Sequence, residues 1–108
     1  SEEELAAYKR WYSALAGDAT GKPAVTVAEF LATSGLPRAA LKQIWAVSNP
    51  GSKTALGLEE FACSCRLVGH CQAMADTPVV KEADRPLRVK LRTECALVRP
   101  PQLPRFGR

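Results

Sequence analysis

The chain has 108 residues, 46% of them apolar and 24% charged, with a formal net charge of +4. That is room for one small domain with its own core and too little for two ordinary ones, and the composition excludes a disordered or low-complexity chain. No apolar run reaches the roughly eighteen residues of a membrane span, and no charged, apolar, small-residue succession reads as a signal peptide.

Ser1-Glu2-Glu3-Glu4 opens a helix: Ser1 caps, Glu4 stands three residues on, and an acidic first turn suits the positive end of the helix dipole. Leu5, Tyr8, Tyr12 and Leu15 then recur at helical spacing with Trp11 beside them, the pattern of a core-facing helix rather than an aromatic binding box. Gly17 to Pro23 is a loop, with Asp18 and Thr20 as its useful oxygens and Gly21 and Pro23 as breakers. Ala24-Val25 is read as a short strand. Thr26, with Glu29 three residues on, predicts a capping box for a short helix carrying Val27, Phe30 and Leu31.

Ser34-Gly35 closes that segment, and Pro37 suits a first helical turn, where its missing N–H would have had no partner. A helix is therefore expected from near Leu36. Along it Val47, Ala40, Ile44, Leu41 and Trp45 span an apolar arc of roughly 160°, with Ile44 near the middle and Leu41 and Trp45 at the edge. An edge pair of this kind is half open to water. Asn49-Pro50-Gly51 ends the helix, because the residue before proline is pushed out of the α region and glycine can take a left-handed cap.

The loop that follows has the length of a twelve-residue calcium loop, and Asn49 and Glu60 fall on its first and last positions. Position 3 is Gly51, position 5 is Lys53, and Thr54 stands where the sharp turn wants glycine. A hard cation that needs six or more oxygens is not served by such a set, so no metal is expected. Thr54-Ala55-Leu56 is the second short strand, in the place to pair with Ala24-Val25. From Leu58 a fourth helix sets Phe61, Cys65, Val68 and Cys71 on one side. The reading is all-α: two EF-hand-like helix-loop-helix units with a short antiparallel β-pair between their loops.

Cys63, Cys65, Cys71 and Cys95 show neither zinc nor redox CxxC spacing and read as small packing residues in a reducing compartment. His70 has no second ligand in spacing. Residues 1–74 carry seven Lys/Arg and seven Asp/Glu, and residues 75–108 carry eight and four, so the net +4 belongs to the C-terminal part. Five prolines there (Pro78, Pro86, Pro100, Pro101 and Pro104) deny a long helix, yet Val79, Val80, Leu87, Leu91, Leu97, Val98, Leu103 and Phe106 are too apolar for a linker. A core of residues 1–74 and a basic, proline-rich tail of residues 75–108 packed back on it are expected, with Phe106 the first choice for a docked ring.

The run FLATSGLPRAALKQIWAVSN followed by LGLEEFACSCRLV resembles the EH domain, a module of endocytic and vesicle-traffic adaptors. The most specific parts are Ser34-Gly35-Leu36-Pro37, the Leu41-x-x-Ile44-Trp45 spacing and Glu59-Glu60-Phe61; the tail ending Leu103-Pro104-Arg105-Phe106 is also similar. The resemblance implies a cytoplasmic, monomeric protein-interaction module peripheral to endocytic or trans-Golgi and endosomal membranes, with Asn-Pro-Phe proteins as partners. Leu31, Leu41 and Trp45 are implied to line the peptide pocket. Without the resemblance, Trp45 reads as core. The alternative is a calcium-independent EF-hand-like scaffold that touches membrane phosphoinositides through Lys81, Arg85, Arg88, Lys90 and Arg92. No spacing argues for a catalytic constellation, and neither an enzyme, a nucleic-acid partner nor a cofactor is expected.

Overall fold

The computed structural model describes residues 2–15, 21–75, 100–101 and 103–107. In chain order these form α1 (Glu2–Ala14), β1 (Lys22–Pro23), α2 (Ala24–Ala32), α3 (Arg38–Ser48), β2 (Ala55–Leu56) and α4 (Leu58–Ala75). The two strands pair antiparallel, Lys22 with Leu56 and Pro23 with Ala55, and so tie the loop of the first helix-loop-helix unit to that of the second. This is the all-α, EF-hand-like arrangement that the periodicities imply.

The first strand lies two residues earlier than Ala24-Val25. Pro23 has extended backbone, φ −55° and ψ 139°, and serves as the residue before the first turn of α2, which begins at Ala24 rather than after a Thr26 cap. No side chain caps this end. The Ala24 N–H instead donates to the Thr54 carbonyl at 2.8 Å, so the strand pair satisfies a group that helix starts otherwise leave open. Likewise α3 starts one residue past the proline, with Pro37 extended at ψ 153°. Gly35, at φ 79°, takes the left-handed conformation between the two helices that glycine adopts without penalty.

Helix α4 packs against each of the other three helices. Phe61, Cys65 and Val68 are fully buried on it, as their spacing implies, and Leu67 is fully buried as well. A central helix is covered on more than one side, so its apolar surface exceeds a single stripe. Burial pushes the thiols of Cys63 and Cys65 above the ordinary cysteine range, which favours their protonated form. Cys95 lies outside the described residues.

Aromatic rings connect these elements. Phe30 of α2 lies 5.7 Å from Phe61 of α4, and Phe61 lies 5.4 Å from Tyr12 of α1. The Tyr12 hydroxyl donates to the Leu56 carbonyl at 2.7 Å, which anchors the strand pair to α1. The end of the chain returns to the same place: Phe106 stands 4.2 Å from Phe30 and edge-on to Trp11 at 5.4 Å.

On α1 the side chain that turns inward is Glu4, 1% exposed, whereas Leu5 is 45% exposed. Arg66 of α4 grips the Glu4 carboxylate with two guanidinium nitrogens, Nε at 2.8 Å and an Nη at 2.5 Å, and the Tyr8 hydroxyl donates to it at 2.9 Å. A buried carboxylate is tolerable only with such a bidentate partner. The Arg66 hydrogen bond, aided by Tyr8 and opposed by burial, holds the Glu4 carboxyl down to about 2 from 4.5. Burial and the adjacent carboxylate push the Tyr8 phenol well above its ordinary range. Glu4 therefore contributes stability that is fully present above pH 4.5 and drains away as pH falls towards 2, worth up to about 3 kcal/mol. Chemical denaturation should show Glu4→Gln costing about 2–4 kcal/mol at neutral pH and flattening that acid limb. An acid limb unchanged in the variant would assign the loss to other carboxylates.

Candidate functional site

Two residues after α2, the corner Ser34-Gly35-Leu36-Pro37 turns the chain into α3. The Ser34 N–H donates to the Leu31 carbonyl at 3.1 Å and the Leu36 N–H to the Ser34 hydroxyl at 3.3 Å, so the corner is held by local bonds at both ends. It fixes how α3 presents its faces. Ile44 points fully inward at 0% exposure. Leu41 and Trp45, one turn apart, pack against the core while remaining half-buried. Leu31 on α2 is 3% exposed, a core residue rather than an open wall of this edge.

The Trp45 ring is thus covered on one side. Among the described residues its indole N–H is not a buried donor left without a partner. Arg38 and Lys42, both exposed, share the stripe of Leu41 and Trp45 at helical spacing. A half-open apolar edge with an indole donor suits a small apolar group that carries an acceptor next to it.

The second loop is closed by its own side chains. The Asn49 side chain is engaged twice with Lys53: its carbonyl accepts the Lys53 N–H at 3.1 Å and its amide donates to the Lys53 carbonyl at 3.2 Å. Both Glu60 oxygens are committed, one to the Gly57 N–H at 2.8 Å, the other to the Lys53 ammonium at 2.5 Å. The first is the backward reach of a capping box at the start of α4. Lys53, followed by the Gly57 N–H, lowers the Glu60 carboxyl from its ordinary value, and Glu60 raises the Lys53 ammonium.

A calcium ion is what an EF-hand loop of this length implies, and this donor set does not fit one. An ammonium stands at position 5, and the two oxygen-bearing ends of the loop are already satisfied. Among the described residues no cluster of three or more His, Cys, Asp or Glu could hold a metal.

Sequence reading missed two polar joints. Glu4 and Arg66 are 62 positions apart, and the only trace of their pairing is a charged residue on the apolar side of each helix. Gln72, 4% exposed on α4, donates to the Ser34 carbonyl at 3.0 Å and the Arg105 carbonyl at 2.7 Å and accepts the Arg105 N–H at 2.8 Å. It clasps the end of the chain to the α2–α3 corner. Lys81, Arg85, Arg88, Lys90 and Arg92 lie outside the described residues, as does most of the segment 75–108.

Comparison with known proteins bears on this geometry. The family model described as EH domain matches residues 1–96. The chain belongs to the EH domain family. Two curated relatives from Arabidopsis thaliana, EH domain-containing protein 1 and EH domain-containing protein 2, are each 36% identical to it, over 73 and 72 residues. Those matches cover 67% and 66% of this chain but 13% of each relative, so it spans a small part of their length. No solved structure matches at comparable significance. As an EH domain the chain is a protein-interaction module. No helix among the described residues is long and apolar enough to cross a membrane.

Because Lys53 already supplies the cation that Glu60 faces, the melting temperature and helical circular dichroism of this EH domain should be alike in calcium and in chelator. A rise of many degrees at sub-millimolar calcium would contradict the loop chemistry described above.

Proposed function

We propose that this EH domain binds Asn-Pro-Phe peptides at the Leu41/Trp45 edge of α3, as an interaction module of cytoplasmic adaptors at endocytic or other vesicle-traffic membranes. The observation that carries the reading is the half-buried Trp45 ring, one helical turn from half-buried Leu41. Phenylalanine of the motif lies against the leucine and the indole face. The N–H donates to a carbonyl or side-chain oxygen of the peptide turn, and buried Leu31 belongs to the floor beneath.

Magnitudes agree with a short motif. Burying one phenylalanine ring contributes roughly 1.5–3 kcal/mol. The directed hydrogen bonds of the turn and of asparagine bring the total to about 4–8 kcal/mol, which is millimolar to micromolar affinity. A Pro-containing turn loses little conformational freedom on binding, and that is why three residues suffice.

Trp45→Ala should reduce binding of an Asn-Pro-Phe peptide at least thirty-fold, a loss above about 2 kcal/mol, while circular dichroism shows a folded domain. Ile44→Ala removes a fully buried side chain of the same helix. It should cost about 2–5 kcal/mol of stability and leave affinity per folded molecule nearly unchanged. A folded Trp45→Ala domain that binds like the parent would return Trp45 to a purely structural role.

A further inference from the structure

The corner between α2 and α3 is tied to the rest of the molecule at two carbonyls. These belong to Thr33 and Ser34, where the chain leaves α2 and the helix ladder no longer serves its carbonyl groups. The Gly107 N–H donates to the first at 2.9 Å, and the Gln72 side-chain amide donates to the second at 3.0 Å. Among the described residues these are the long-range hydrogen bonds that residues 33–37 receive, and the others there are local. Next comes Gly35, at φ 79° and with nothing within 4 Å of where a side chain would stand. The Pro37 carbonyl then accepts the Leu41 N–H at 3.1 Å as α3 begins. The held carbonyl of Ser34 is therefore three residues from the one that fixes the amide of Leu41, and Trp45 follows one turn on.

Gln72 is 4% exposed and its amide is used in full. Its nitrogen donates to Ser34 and, at 2.7 Å, to the Arg105 carbonyl, while its oxygen accepts the Arg105 N–H at 2.8 Å. An amide is planar, so the paired bonds to the Arg105 backbone set its plane and aim the remaining N–H at Ser34. The strap of residues 103–107 is itself seated by buried Pro104 and by Phe106, which stands 4.2 Å from Phe30 and 5.4 Å from Trp11. Without the strap the amide keeps one partner of three, and a buried donor or acceptor left unpaired carries a desolvation penalty that turning towards water relieves. Seating of the strap and hold on the corner rise and fall together.

We propose that Gln72 is a positioning residue for the α3 edge and that the seated strap is what orients it. The chain with residues 103–107 docked is the form that binds peptide well; with the strap displaced, the corner is free to swing about Gly35 and the edge loses its prearrangement. Binding to a prearranged surface orders fewer groups and is tighter for that reason. The inference rests on the assignment of peptide binding to the Leu41/Trp45 edge. Coupling of this kind is reciprocal, so peptide at the edge also tightens the strap.

The test uses the isotope-labelled full chain as parent, as Gln72→Met, as Phe106→Ala and as the double variant, with Glu4→Gln as a control that weakens the α1–α4 joint. Without peptide, both single variants should move the amide resonances of Leu36 and Leu41. With an Asn-Pro-Phe peptide, each should bind about three- to tenfold more weakly per folded molecule. The double variant should fall within about twofold of the weaker single, because both substitutions act through one amide. Glu4→Gln should bind like the parent, and peptide should slow hydrogen exchange at the Gly107 amide of the parent. If Gln72→Met does not fold, Gly107→Val takes its place with the same readouts, since its Cβ would stand 3.1 Å from the Thr33 carbonyl oxygen. Folded variants that leave Leu36 and Leu41 unmoved, or that bind peptide as the parent does, would overturn the positioning role. So would additive losses in the double variant, or an equal loss in Glu4→Gln, which would trace the effect to general loosening. A parent that binds no peptide would overturn the reading of the edge and the positioning role with it, and that failure shows before any substitution is made.

Discussion

Phe30 is the ring on which the two halves of the molecule and its returning end converge. It touches Phe61 of the second helix-loop-helix unit, Trp11 of α1 and Phe106 from the tail, at centroid separations of 5.7, 6.4 and 4.2 Å. Aromatic contacts of this kind combine a large buried area with a preferred tilt, so they fix orientation as well as distance. With Phe30 held, α2 cannot rotate; with α2 held, the Ser34–Pro37 corner sets the face that α3 turns to solvent. The half-open position of Leu41 and Trp45 is thus a consequence of packing on the far side of the core.

Polar joints complete what the rings begin. Glu4–Arg66 fixes α1 to α4, Gln72 ties the tail to the corner, and Lys53–Glu60 closes the loop between α3 and α4. In an EF-hand loop a divalent cation draws the first and last positions together. Here an amide at the first position and an ammonium at the fifth do so, and the loop that follows α3 is closed by its own side chains. This is an economy of small domains, whose limited core leaves interaction surfaces dependent on a few well-made links.

Much of this was legible in the chain itself because helical periodicity is a strong signal. Val27, Phe30 and Leu31 on α2, Ile44 on α3, and Phe61, Cys65, Val68 and Cys71 on α4 are buried as their spacing implies. Leu41 and Trp45 are half-buried, as residues at the edge of an apolar arc should be. The second strand lies within Thr54–Leu56 as expected, whereas the first stands two residues earlier than Ala24-Val25 for a physical reason: a two-residue strand carries no alternation to read, and Tyr12 and Thr54 hold this region across the fold. A partner 62 positions away, as Arg66 is for Glu4, leaves only a charged residue on an apolar face as its trace, and helical spacing alone turns Leu5 inward where Glu4 stands. The return of Phe106 was legible from its apolarity; the clasp by Gln72 that orders it was not.

The central claim is that an Asn-Pro-Phe peptide uses the open edge of α3 in a chain that needs no metal to present it. A proton–nitrogen correlation spectrum of the labelled full chain, titrated with such a peptide in chelator, addresses it most directly. Saturable shifts should appear at the Trp45 indole and the Leu41 amide, with Trp11 nearly unmoved. Shifts that gather at Trp11 and Gln72, or none below millimolar peptide, would contradict it.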